Sequence, residues 1–164
     1  RKPELENLEK FEDHGVDYII KDPEKFRDKK VVIAGGGDSA LDWTIFLADV
    51  AKEVTLVHRR KAFRGALDSV EKVENLHADS KITLIKEAQI SALDGGNDLN
   101  KVTITENNGT VTEVDTEYFI PLFGLSPKLG PIKEWGLDLG KEAILVDTKD
   151  YPFQVKARLS LQPC

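Results

Sequence analysis

Residues Val31 to Trp43, VVIAGGGDSALDW, restrict the fold of this chain more than any other stretch. Val31-Val32-Ile33-Ala34 is a continuous apolar run of mostly branched residues closed by three glycines, the pattern of a strand buried on both faces in a parallel sheet. From Ser39 to Ala51, Ala40, Leu41, Ile45, Leu47, Ala48 and Ala51 recur at helical spacing, and Val54 to Val57 forms the next apolar run. Strand, glycine turn, helix and strand follow within about 27 residues, the length of a compact βαβ unit.

The rest of the chain extends this unit. Ala62 to Leu76 predicts a second helix and Ile82 to Ile85 a third parallel strand. Ala88 to Leu93, Lys101 to Glu106 and Val111 to Val114 alternate apolar and polar residues across turns at Asp94 to Asn97 and Asn107 to Gly109, which predicts an antiparallel meander. Tyr118 to Phe123 is a further apolar strand, ended by Gly124. Upstream, the charged residues 1–15 read as an entry linker with one helical turn around Leu5 to Phe11, Val16 to Ile20 predicts a short strand and Asp22 to Phe26 a turn with a brief helix start. The expected class is α/β, a Rossmann-like parallel sheet with a three-stranded antiparallel meander.

Each small residue of the turn has a mechanical duty in a dinucleotide site. Gly35 permits the tight turn, Gly37 lets the backbone approach a pyrophosphate, and Ala40 lets the helix pack closely on the strand. Backbone N–H groups near Gly36, Gly37, Asp38 and Ser39 would face the anion. An acid about 20 residues beyond such glycines takes a ribose 2′-hydroxyl, whereas an arginine there accommodates a 2′-phosphate. In this chain the position falls on His58-Arg59-Arg60, with Arg64 close behind. Planar guanidinium groups bind two phosphate oxygens at once and stay charged, so the cluster selects NADP(H) over NAD(H). The plainer alternative is a solvated basic face at a helix start, although cations there oppose the helix dipole. His58 either stacks beside the adenine or caps the turn, and Gly124, with Leu125 and Ser126, stands where a carboxyl-end crevice would receive the nicotinamide. Trp43 and Trp135 read as packing residues.

Composition narrows the partners. A net charge of −6 opposes general nucleic-acid binding. No apolar run approaches the roughly 18 residues of a membrane span and no signal-peptide pattern opens the chain, so a cytoplasmic protein is expected. The single cysteine, Cys164, excludes an internal disulfide or Cys-x-x-Cys pair, and His14, His58 and His77 lack metal-ligand spacing. The chain has no methionine and opens Arg1-Lys2-Pro3, so it reads as part of a longer protein.

GGGDSALDW followed by VTLVHRRKAFRG resembles the NADPH-binding domain of the thioredoxin reductase class of flavoproteins, in which a His-Arg-Arg-x-x-x-Arg element holds the 2′-phosphate. The likeness runs from about Pro3 to Gly140. Where such reductases carry a redox Cys-x-x-Cys, this chain has Ile19-Ile20-Lys21-Asp22, and with FGLSPKLGPIKEWGL it is similar to the ferredoxin–NADP reductases of thioredoxin-reductase type. That resemblance implies residues 1–15 as a linker from an FAD-binding domain, 16–127 as the NADPH-binding domain, 128–150 as a return segment and 151–164 as an atypical tail. It further implies FAD and a homodimer in the whole enzyme, electrons passing from NADPH through FAD to a ferredoxin, and no catalytic acid or base in this chain. Two alternatives stay open: a thioredoxin-reductase-like enzyme with another acceptor, and a stand-alone NADPH-sensing module.

Overall fold

β1 (Lys30–Gly35) owes its central place to side chains that are apolar in both directions. In this computed structural model, which describes residues 5–124 and the backbone of 146–147 and 154–155, Val31 and Ile33 enter one core with Ala40, Leu41, Leu47 and Val73. Val32 and Ala34 point the other way, into a second core with Ile90, Leu93, Val102 and Ile104. Only a strand covered on both faces can satisfy such a sequence.

The first core lies under α1 (Asp38–Leu47) and α2 (Leu67–Ala78). Parallel to β1 run β2 (Glu53–His58), β3 (Thr83–Lys86) and, later in the chain, β7 (Tyr118–Leu122), in the spatial order β3-β2-β1-β7. The second core is covered by the antiparallel sheet β4 (Ala88–Gly95), β5 (Leu99–Glu106) and β6 (Val111–Asp115), with bulges between Ile90 and Ala92 and between Asp94 and Gly95. Helices, a four-stranded parallel sheet and a three-stranded meander thus form three layers, as the sequence pattern leads one to expect.

Four details depart from the sequence pattern. Leu8 and Phe11, in the stretch expected as a linker, are buried in the second core, although the helical turn expected there does form, as a 3-10 turn at Glu9–Phe11. Of the strand expected over Val16 to Ile20, only Val16 bridges to Phe119, and Ile19 is exposed. The helix expected from Ala62 begins at Leu67, because Ala66 N–H, which such a helix would direct to Ala62 O, donates to Asp38 Oδ1 and Ala62 O accepts from His58. The helix expected as far as Ala51 ends at Leu47, after which the 47–51 turn closes and Lys52 N–H donates to Lys29 O at 2.9 Å.

The compact unit ends at Gly124. Beyond it, β8 (Val146–Asp147) pairs antiparallel with β9 (Gln154–Val155). Leu125, Ser126, Trp135 and the 128–145 segment lie outside the described residues. Among the described residues no helix is long and apolar enough to cross a membrane.

Candidate functional site

The candidate site forms where parallel strands end together. Ala34 is opposite Val57 in β2, and Gly35 is opposite Leu122 in β7, so the glycine turn, the residues after β2 and Gly124 share the carboxyl edge of the sheet. The chain leaves β1 toward β2 on one side and returns at β7 on the other, and such a switch in strand order opens a crevice.

The three glycines prove to do three different things. A Cβ on Gly35 would lie 2.7 Å from the Ala40 Cβ and 2.5 Å from Leu122 O, so the small pair Gly35 and Ala40 brings helix and strand together. A Cβ on Gly36 would enter the His58 imidazole, which is packed on the bare backbone. At Gly37 a Cβ would meet nothing within 4 Å, and this open side is where an anion can approach. Gly37 is the N-cap of α1, and the N–H groups of the first turn, including those of Asp38 and Ser39, have no carbonyl one turn earlier to accept them. Ala40 N–H already donates to Gly37 O at 3.1 Å.

His58 is 5% exposed, and its place favours the capping role over the stacking one. Its Nε2–H donates to Ala62 O at 2.9 Å, and its ring stacks on Phe63 with centroids 4.7 Å apart and planes 17° from parallel. With Gly36 against the same imidazole, the ring braces the loop.

Arg59, Arg60 and Arg64 are exposed, and none has an ion-pair partner among the described residues. Three other basic groups are committed, Lys86 to Glu74 at 2.6 Å, Lys72 to Asp68 at 2.6 Å and Lys30 to Glu53 at 3.5 Å, whereas Lys61 on the same loop is exposed like the arginines. Guanidiniums with no ion-pair partner among the described residues make the strand ends of this acidic chain locally positive. Their loop is tied to the turn, since Arg64 N–H donates to Gly36 O at 2.8 Å and Ala66 N–H to Asp38 Oδ1 at 2.7 Å. Gly124 follows β7 with φ +81°, a conformation that favours glycine.

Sequence reasoning missed Phe63, Gly65 and the Asp38 side chain. Gly65 lies over the start of α1, where a Cβ would come 3.3 Å from the Asp38 nitrogen. Its place between Arg64 and the second helix was the available signal.

The pattern of the pyridine nucleotide-disulphide oxidoreductase family matches residues 30–112, just over half of the chain. Ferredoxin–NADP reductase 1 of Christiangramia forsetii is 61% identical over 156 residues, covering 94% of this chain and 44% of that protein. The ferredoxin–NADP reductase of Flavobacterium johnsoniae is 60% identical over 147 residues, covering 90% and 42%. The chain therefore spans less than half the length of these curated relatives. Among solved structures, T. acidophilum thioredoxin reductase superposes with a TM-score of 0.78 at 21% identity over 90% of this chain and 49% of that one, a likeness of fold. Lactococcus lactis thioredoxin reductase gives 0.74 at 26% identity over 87% and 46%.

Proposed function

Because the chain belongs to the pyridine nucleotide-disulphide oxidoreductase family, we propose that it is the NADP(H)-binding domain of a flavin-dependent ferredoxin–NADP reductase. The observation that carries this reading is the set of three guanidiniums, without an ion-pair partner among the described residues, on a loop fastened beside an open glycine turn. The residues present fit the dinucleotide. Gly36, Gly37, Asp38 and Ser39 offer backbone to the pyrophosphate, Arg59, Arg60 and Arg64 take the 2′-phosphate, and Gly35 and Ala40 hold strand and helix close. His58 positions the arginine loop, and Gly124 borders the nicotinamide side of the crevice.

When bound, the nicotinamide supplies a hydride for the flavin of the whole enzyme, and the chemistry is the cofactors' own. The task of this chain is to bind the donor and orient it, which requires no acid or base. Identity to ferredoxin–NADP reductases supports a ferredoxin as the final acceptor, and this chain holds no dithiol that could relay electrons to a thiol partner. FAD and a homodimer belong to the same reading of the whole protein.

Calorimetric titration with NADP⁺ and NAD⁺ tests the domain's role. Two or three charge-assisted hydrogen bonds to the 2′-phosphate correspond to a preference of about a hundredfold or more for NADP⁺. Equal affinity overturns it. For the whole enzyme, NADPH-dependent reduction of ferredoxin is expected, and reduction of thioredoxin alone would assign the other acceptor.

A further inference from the structure

Asp38 poses a problem for an anion site. A carboxylate in the first turn of a helix suits the dipole, yet it repels a pyrophosphate brought to the same N-terminus. The structure turns it aside. Its Oδ1 accepts from Ala66 N–H at 2.7 Å, a charge-assisted bond to the N-cap residue of α2. Arg59, Arg60 and Arg64 all lie between His58, the last residue of β2, and Ala66, so this bond closes the base of the loop that carries every one of them. Of the links that hold the loop to the turn, the Arg64 link is backbone to backbone, whereas this one depends on a side chain.

We propose that Asp38 is a positioning residue that sets the preference for NADP(H) over NAD(H), by strapping the arginine loop to the glycine turn through Ala66. The proposal rests on the reading of the site as an NADP(H) donor site. A loop already ordered spares the ligand the cost of ordering it on binding. NAD(H) lacks the 2′-phosphate and gains nothing from where the guanidiniums stand. The strap therefore acts on the ratio of the two affinities and leaves the affinity for the shared pyrophosphate alone.

The test titrates NADP⁺ and NAD⁺ by calorimetry into the wild-type chain, Asp38→Ala, Asp38→Asn and Ala66→Pro, with thermal melting of each. Proline at 66 removes the donor while suiting the native φ of −57°. Ala66→Pro is expected to weaken NADP⁺ binding about tenfold while NAD⁺ binding changes less than about threefold, and Asp38→Ala to lower the ratio of NADP⁺ to NAD⁺ affinity by a similar factor. Asp38→Asn keeps an acceptor oxygen and retains the wild-type preference. An equal loss for both nucleotides in Asp38→Ala places Asp38 at the pyrophosphate and overturns the strap. So does Asp38→Asn behaving like Asp38→Ala, since charge would then matter and the bond would not. Should Asp38→Ala melt below the assay temperature, an unchanged ratio in Ala66→Pro overturns the proposal alone. A wild-type chain without preference refutes the NADP(H) reading itself, a result visible before any variant is measured.

Discussion

One added methyl group should cost this chain far more at Gly36 than at Gly37. At Gly36 the new Cβ meets Cε1 and Nδ1 of His58 and stands 2.8 Å from its Nε2. The ring is 5% exposed, and moving it gives up the bond to Ala62 O and the stack on Phe63. A neutral hydrogen bond is worth about 1 kcal/mol net, a ring pair about 0.5–1.5 kcal/mol, and overpacking costs about 1–3 kcal/mol. These losses overlap, so Gly36→Ala is expected to destabilise by about 3 kcal/mol and to lower the melting point by about 10 °C. At Gly37 the methyl meets nothing, and φ −100° with ψ −179° is extended backbone that alanine adopts readily. Only the poorer N-cap remains, under about 1 kcal/mol. On the proposed reading that same methyl stands where the pyrophosphate approaches, so Gly37→Ala should fold normally and bind NADP⁺ about tenfold or more weakly. Urea unfolding and calorimetry on both variants decide the matter. A Gly36→Ala chain within about 0.5 kcal/mol of wild type, or a reversed order of stabilities, would refute the packing argument.

Arg59→Ala and Arg64→Ala should each weaken NADP⁺ binding about tenfold by calorimetry and leave NAD⁺ binding unchanged, and parallel losses for both would remove the 2′-phosphate assignment. Phe11→Ala should cost about 3–5 kcal/mol in urea unfolding, because the ring is 1% exposed in the second core, and a loss under about 1 kcal/mol would return residues 1–15 to the status of a linker. Burial pushes the Glu117 carboxyl up, but Lys29 Nζ at 2.9 Å, Lys30 N–H at 3.1 Å and the charge of Lys52 outweigh it, so it titrates below the ordinary 4.5. A carboxyl lowered in the folded state stabilises fully above its ordinary value and loses that contribution as pH falls through the folded value. Glu117→Gln should therefore melt earlier than wild type at neutral pH, by a small margin because the pair is half-exposed, and the two should converge below pH 4.5. A difference persisting in acid would assign the effect to packing.

The layers were legible because their residues leave little choice. Val31 to Ala34 is apolar toward both faces, and alternation in 88–93 and 101–106 fits one buried face, so a covered parallel strand and a half-solvated meander follow, whereas in 111–114 Val111 is exposed. Boundaries slipped where particular hydrogen bonds outvote periodicity. Ala66 N–H is taken by Asp38 and Ala62 O by His58, so the helix expected from Ala62 waits until Leu67. Asp17 N–H still reaches Phe119 O, but Ile19 is 70% exposed, and pairing in the expected 16–20 strand stops there. Leu8 and Phe11 were hidden by their charged neighbours, since two large apolar residues show no period.

Chemistry and placement at the site come from different sources. The placement of the basic cluster is set by register: α1 returns about 15 Å along the sheet, β2 climbs about 20 Å, and pairing of Ala34 with Val57 ends the climb beside the glycines. Any residues after β2 would arrive there, so their distance in sequence from Gly37 identifies the position and their side chains identify the ligand. What the sequence does not announce is how the loop is held. Arg64 N–H to Gly36 O is available to almost any residue type, and His58, for which the sequence left stacking and capping both open, makes a bond to Ala62 O and a contact with bare backbone that its neighbours in sequence do not announce. Asp38 is the exception, because a carboxylate placed at an anion-binding helix start is unfavourable unless something else claims it. An acid in that position is thus a signal in its own right: it points to a donor across the turn, here Ala66 N–H, and through that donor to the loop that carries the arginines.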